Sequence, residues 1–322
     1  MNSRDVHSQM VLSIAAVERD TGIGKDTLRV WERRYGFPTP SRDAHGERIY
    51  PMPQVEKLRI IKRLMDQGHR PGRIVAQPME ALQHLSRGVA AIQSHASAGE
   101  GGSREDLQAY IAMLQMQDID GVRRDLQKIL AQDGLQRFVL EIVAPLTGMV
   151  GDAWAHGDLA VHEEHLYTEC VSSVLRQAIA AVPQMGTGSP TVLLTTFPQE
   201  AHGVGLLMVE CLMALQGCRC ISLGTQTPVR DIAEATIAHR ADVVALSFSV
   251  NMNPNHVVDG LMELNLLLPD AVEVWVGGQA PSLRRRNIER AIVLNDLKSI
   301  TDAIQRWRRL RSNSEAAATD WS

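Results

Sequence analysis

From residue 188 onward the chain alternates two patterns. Apolar, mostly β-branched runs at 191–197, 218–223, 242–249, 272–276 and 291–294 are separated by helical periods near 202–216, 228–239, 254–268, 282–289 and 296–311. Strict alternation of strand and helix predicts a doubly wound parallel sheet of five strands over 188–311, flavodoxin-like in size. Upstream, four segments (106–116, 119–132, 135–156 and about 161–182) keep a helical period. The breaks at Gln117-Asp118, Asp133-Gly134 and Gly157-Asp158 are short. Short breaks favour antiparallel neighbours, so 105–185 reads as a four-helix bundle. Residues 86–104 are rich in Gly, Ser and Ala and predict a flexible tether, while 312–322 are expected to be a disordered tail.

The N-terminal pattern, residues 10–85, differs. Ser13 precedes a short amphipathic helix, Thr21-Gly22-Ile23-Gly24 interrupts it, and a second helix runs from Lys25 to Tyr35. Two short helices across a glycine turn predict a helix-turn-helix. Its second helix presents Lys25, Asp26, Thr27 and Arg29 to a major groove, with Arg33 and Arg34 further along for phosphates. Pro38 and Pro40 exclude helix, and the Gly46 turn suits a two-stranded wing from which Arg42, Arg48 and Tyr50 reach the sugar-phosphate backbone. Leu28-Arg29-Val30-Trp31-Glu32-Arg33-Arg34-Tyr35-Gly36, followed by Pro40, Arg42, Arg48 and Tyr50, resembles the winged helix-turn-helix of MerR-type transcription regulators. That resemblance implies a homo-oligomer, at least a dimer, on double-stranded operator DNA. The chain nevertheless lacks the long dimerisation helix directly after the wing.

Charge supports this division. The net charge of −4 is the sum of +5 over residues 1–75 and −9 over the rest, which confines a nucleic-acid contact to the N-terminal end. Cys170, Cys211, Cys218 and Cys220 lack CxxC spacing and read as reduced core thiols. No apolar stretch is long enough to span a bilayer and no signal-peptide core follows Arg4, Asp5 and His7. The expectation is a cytoplasmic protein with no membrane partner.

Candidate chemistry gathers at the expected strand ends. These carry Glu200-Ala201-His202-Gly203-Val204-Gly205, Gly224-Thr225-Gln226-Thr227, Ser247-Phe248-Ser249 and Gly277-Gly278-Gln279. Gly203-Val204-Gly205 starts like a dinucleotide fingerprint, but Met208 stands where the third glycine belongs. No Walker lysine follows a glycine loop, and the strand-end aspartate of a receiver domain is missing. In the bundle, nine residues separate Trp154 from Glu164-His165. His162, His165 and Glu169 share spacing that a metal could use, although His162-Glu163-Glu164-His165 is not the HExxH zinc motif.

Glu200-x-His202-x-x-Gly205, then 41 residues to Ser247-x-Ser249, then 27 to Gly277-Gly278, resembles the DxHxxG…SxL…GG signature of cobalamin-binding domains that take the cofactor base-off. The resemblance makes His202 the lower axial ligand to cobalt and Glu200 the group that orients it. Gly203 and Gly205 then lie near the displaced nucleotide tail, Ser247 and Ser249 around its dimethylbenzimidazole, and Gly277-Gly278 where room for it is needed. Trp154-x9-Glu164-His165 matches the motif of the helical cap in cobalamin-dependent MerR regulators, so the whole chain resembles the photoreceptor repressors of the CarH type. There the cap residues enclose the upper adenosyl group. Implied is a repressor that binds adenosylcobalamin in the dark, holds its operator as a dimer or homotetramer, and releases it when light breaks the cobalt–carbon bond. Loss of avidity between tethered heads would carry the switch, and no substrate is turned over.

Three departures accompany the match. Glu200 replaces Asp and Ser249 replaces Leu. The residue after the cap tryptophan, commonly a histidine that ligates cobalt after photolysis, is Ala155. His156 or His162 is left as the alternative upper ligand. Two competing functions are a MerR-type regulator that senses another tetrapyrrole or uses cobalamin non-photochemically, and a corrinoid methyltransferase carrier. The second competes poorly, since the extra length is spent on a DNA-binding head.

Overall fold

The computed structural model describes residues 11–43, 46–66, 69–82, 85, 104–183, 188–250, 252–280, 282–283 and 289–319. The tether expected over 86–104 lies outside them, apart from Arg104. The chain divides into two compact units, 1–96 and 97–322.

In the first unit, β1 (Val11–Ser13) leads into α1 (Ile14–Thr21) and α2 (Lys25–Tyr35). Ser13 caps α1 by accepting the Ala16 N–H at 3.3 Å. Strands β2 (Ser41–Arg42) and β3 (Arg48–Pro51) form the wing, and α3 (Met52–Asp66) and α4 (Pro71–Ile74) follow. The sheet has three strands, in the order β1-β3-β2, where two were expected. Val17, Leu28, Trp31, Tyr50, Val55, Leu58 and Ile61 build one core beneath both helices and the wing.

The second unit opens with four helical stretches. These are α5 (Arg104–Gln115), α6 (Ile119–Asp133), α7 (residues 135–156) and α8 (Val161–Ala181). Within α7, Phe138–Val143 is π-helical between the α-helical Leu135–Arg137 and Ala144–His156. Phe138, Val139, Ile142 and Val143 of that segment are buried, so the wider turn is spent on packing.

The α/β part comprises β4 (Thr191–Thr195), α9 (Val204–Leu215), β5 (Arg219–Gly224), α10 (Val229–Ala238), β6 (Val243–Phe248), α11 (Pro254–Leu267), β7 (Glu273–Gly278), β8 (Ala291–Leu294) and α12 (Ser299–Thr319). All strand pairs are parallel, in the order β5-β4-β6-β7-β8. Alternation decides which face each strand residue serves. Val192, Leu194, Val243, Ala245 and Trp275 pack with α9, α12 and the helical bundle in one core. Leu193, Val244, Leu246, Val274 and Val276 pack with α10 and α11 in the other. The multidomain α and α/β class is thus as expected, with one correction at the end of the chain. The last helix continues to Thr319 instead of giving way to disorder at 312. Glu315-Ala316-Ala317-Ala318 has the helix propensity to extend it.

Candidate functional site

Strand order 5-4-6-7-8 reverses direction between β4 and β6, so the loops after these two strands flank a crevice where doubly wound sheets bind ligands. One carboxylate spans the crevice. Glu200, 1% exposed, accepts the Ser249 N–H on Oε2 at 2.7 Å, and its Oε1 lies 2.6 Å from His202 Nδ1 and accepts the His202 N–H at 3.0 Å. Burial pushes the Glu200 carboxyl up, yet the hydrogen bonds from His202 and Ser249 prevail and hold it below the ordinary carboxylate value. The same hydrogen bond from Glu200 raises the His202 imidazole above its usual value against desolvation, and the more distant Glu164 carboxylate adds to it. With Nδ1 fixed by Glu200, the nitrogen left for a metal is Nε2, which makes no hydrogen bond among the described residues. The side chain is 58% exposed.

The loop is anchored by two residues that the sequence reading passed over, Thr195 and Thr196, both fully buried. Thr196 Oγ1 donates to the Glu200 carbonyl (2.7 Å) and accepts the Gln226 N–H (2.8 Å), while Thr195 Oγ1 donates to the Gly224 carbonyl (3.0 Å). They tie the loop after β4 to the one after β5. Their signal was two polar residues closing a continuous apolar run.

Glycines let the elements around the crevice approach one another closely. A Cβ on Gly205 would meet Ser247 Oγ at 3.1 Å, and one on Gly203 would meet Thr225 at 3.2 Å. Gly278, at φ +107°, passes so close to the Phe248 carbonyl oxygen that a Cβ would lie 2.2 Å from it. Ser247 pairs with Gly277 and Phe248 with Gly278 in the β6–β7 register. Glu200, His202, Gly205, Ser247, Ser249, Gly277 and Gly278 therefore meet at one sheet edge.

The bundle contributes its own group. Glu164, in the first turn of α8, accepts from Thr168 Oγ1 at 2.7 Å, with His165 Nε2 3.7 Å from its other oxygen. Its carboxylate adds, as the smallest contribution, to the raised pKa of His202. Trp154, on α7, is half-buried against the shared core, and His165 is exposed. His162 hydrogen-bonds Gln117 at 3.3 Å, and on a helix it is turned about 200° from Glu164. His156 Nδ1 sits 2.6 Å from the Asp152 carbonyl oxygen one turn back. Among the described residues no three His, Cys, Asp or Glu side chains cluster to hold a metal, so the spacing of His162, His165 and Glu169 does not mature into a site.

A single imidazole with a carboxylate behind it, beside a glycine-lined crevice at a switch point, suits a metal that brings its own equatorial ligands, which is what a corrinoid does. His202 and Glu200 would hold the cobalt side, and Gly205, Ser247, Ser249 and Gly277 the tail.

In the first unit the DNA-facing candidates divide. Thr27, Arg29, Arg33 and Arg34 are exposed on α2. Lys25 Nζ pairs with Glu18 at 3.3 Å, Arg29 with Asp26 at 3.1 Å and Arg48 with Glu32 at 2.9 Å, while Arg42 donates to the Gly46 carbonyl at 2.6 Å. Tyr50 is a correction. It lies opposite Leu12 of β1, is fully buried and has a hydroxyl without a partner among the described residues, so it does not reach a DNA backbone. No described helix is long and apolar enough to cross a membrane.

Comparison with known proteins agrees with both units. Residues 12–76 match the MerR HTH family regulatory protein family, and 107–179 and 190–300 match two B12 binding domain families. The chain is 33% identical over 278 residues to the HTH-type transcriptional repressor CarH of Myxococcus xanthus, covering 84% of this chain and 90% of that one. It is 30% identical over 243 residues to the CarA repressor of the same organism, covering 74% and 77%. The fold of 61% of the chain resembles 94% of the monomethylamine corrinoid protein of Methanosarcina barkeri, with a TM-score of 0.50 at 14% identity. Bundle, sheet and DNA-binding head together establish that the chain belongs to the MerR-type transcriptional repressors with B12-binding domains, the family of CarH and CarA.

Proposed function

We propose that the protein is a light-responsive repressor whose B12-binding unit takes adenosylcobalamin, with His202 as the lower ligand to cobalt and Trp154, Glu164 and His165 around the upper face. The observation that carries this reading is the Glu200–His202 pair at the switch point, with Glu164 of the bundle within electrostatic reach of it. Bound adenosylcobalamin supplies a cobalt–carbon bond that visible light breaks.

The chain's own residues do the rest. Glu200 fixes the His202 tautomer and directs Nε2 into the crevice. Ser247, Ser249 and the glycines admit the tail between β6 and β7. Trp154 and Glu164, both carried by the bundle, sense whether the upper group is present, so the bundle–sheet contact is the bistable element. In the dark this contact favours a homo-oligomer, dimer or tetramer, whose heads grip one operator together. Dispersal after illumination removes that avidity without altering a single DNA contact. Because Ala155 follows Trp154 and His162 is turned to Gln117, His156 is the remaining candidate for an upper ligand in the lit state.

The test is dark loading with adenosylcobalamin, followed by size-exclusion chromatography and operator binding before and after green light. A larger species that binds DNA in the dark and disperses on illumination is expected. An oligomer unchanged by light removes photochemistry from the reading and leaves a non-photochemical cobalamin sensor.

A further inference from the structure

Gln199 stands immediately before Glu200 and has a backbone φ of +72°. That left-handed conformation belongs mostly to glycine, with asparagine and aspartate next, and a glutamine persists in it only when its surroundings hold it there. One such hold is made by its own side chain. Gln199 Oε1 accepts a hydrogen bond from His256 Nδ1 at 2.9 Å. His256 lies in the first turn of α11, behind the Asn253 cap that accepts the Asn255 N–H at 2.9 Å. One turn on, Gly260 passes so close to the Phe197 ring that a Cβ would lie 2.5 Å from it. His256 and Gly260, four apart, share a helix face, so this face of α11 lies along residues 197–199. Two bridges therefore run from the loop after β4 to the chain after β6. Glu200 makes one, to the Ser249 N–H at 2.7 Å, and Gln199 makes the other, one residue earlier, to His256.

We propose that His256 is a positioning residue for the Glu200–His202 pair: through Gln199 it fixes the backbone from which Glu200 reaches both His202 and Ser249. This rests on the cobalamin reading above. A carboxylate bridged at one point only turns with its loop, and the imidazole it orients turns with it. The helix after β6 thereby bears on how firmly the lower ligand is held.

The experiment compares the full chain with His256→Ala, Gln199→Asn and the double variant. Asparagine tolerates the left-handed backbone but is one methylene shorter, which withdraws its carboxamide from His256. Amide exchange of Ser249 is measured in the unloaded chain. Equilibrium binding of adenosylcobalamin is measured in darkness, with the visible spectrum reporting imidazole on cobalt. Each single variant is expected to speed Ser249 exchange and to weaken binding about fivefold, with a smaller imidazole-ligated fraction. The double variant is expected to be no worse than either, since both substitutions break the same bond. Unchanged Ser249 exchange overturns the proposal, as do two losses that add, or weaker binding with the imidazole-ligated fraction intact. A lowered melting temperature with faster exchange throughout α11 assigns His256 to the fold of that helix and overturns it as well. A parent chain that retains no adenosylcobalamin refutes the cobalamin reading and this proposal with it, an outcome distinct from a loss confined to the variants.

Discussion

The DNA-binding head and the sheet edge both carry charged residues nominated from sequence, and the two sets fare differently. In the head, residues chosen for their chemistry turn partly to their own neighbours. Arg48 pairs with Glu32, Arg29 with Asp26 and Lys25 with Glu18, and Tyr50 is core. At the sheet edge, residues chosen for their spacing converge, because strand register brings together positions far apart in sequence, as with Glu200 and Ser249. Spacing between strand ends is a statement about backbone geometry. A surface arginine's type says only what it can do, and its partner decides whether it is available.

The sharpest way to break this contrast is at His202. His202→Ala is expected to cost at least about 100-fold in cobalamin retention by equilibrium dialysis, since no other described side chain offers nitrogen at that point. Undiminished retention would remove His202 as the ligand.

Gly278→Ala comes next. A Cβ there meets a carbonyl that cannot move without dragging β6, so a loss of about 3 kcal/mol or more in chemical denaturation is expected in the second unit. A change below about 1 kcal/mol would show that the strand ends are looser than their register implies.

Smaller effects are expected on DNA. Arg33→Ala with Arg34→Ala should weaken operator binding about tenfold and lower its salt dependence, whereas Tyr50→Phe, which deletes only an unpaired buried hydroxyl, should leave binding unchanged. A large Tyr50→Phe effect on binding would restore the tyrosine as a contact.

Smallest is a pH effect in the head. Glu18 accepts the Lys25 N–H at the start of α2, and this bond, ahead of the other influences, lowers its pKa below 4.5. A carboxyl depressed on folding contributes stability above its unfolded pKa and loses it as pH falls through the folded one. Amide exchange at the first turn of α2 should therefore show faster opening below about pH 4.5, beyond the intrinsic change of rate, with little change between pH 6 and 8. Equal protection at pH 7 and pH 3.5 would show that Glu18 does not hold that turn.

Much of the fold was legible because the central strands β4, β6 and β7 are buried on both faces and the intervening helices are long enough to show their period. What stayed hidden has physical reasons. Three residues of β1 cannot display alternation, and without β1 nothing in the sequence shows that the Tyr50 ring turns inward. Arg48 and Tyr50, two apart on a strand, share a side, but the pattern does not reveal whether that side meets DNA or core. The hydrogen-bonded pair at the switch point was readable from Glu200-x-His202. Thr195 and Thr196 were not, since their work is done through main-chain partners in the same loop and at the end of the next strand. The helix beyond 311 was missed because its sequence is polar, and polar helices lack the apolar stripe by which helices are recognised.

The six π-helical residues of α7 act as a phase setting for the cap. An α-helix advances about 100° per residue and a π-helical turn takes in roughly one residue more than an α-turn, so rewinding Phe138–Val143 to α geometry at unchanged length would swing everything beyond it by about that angle. Trp154 and His156 would trade orientations with their neighbours while helix length, composition and core volume barely changed. Which side chains α7 turns toward the core at the level of Trp154 is thus written 11 residues upstream, in the winding of the helix between Phe138 and Val143.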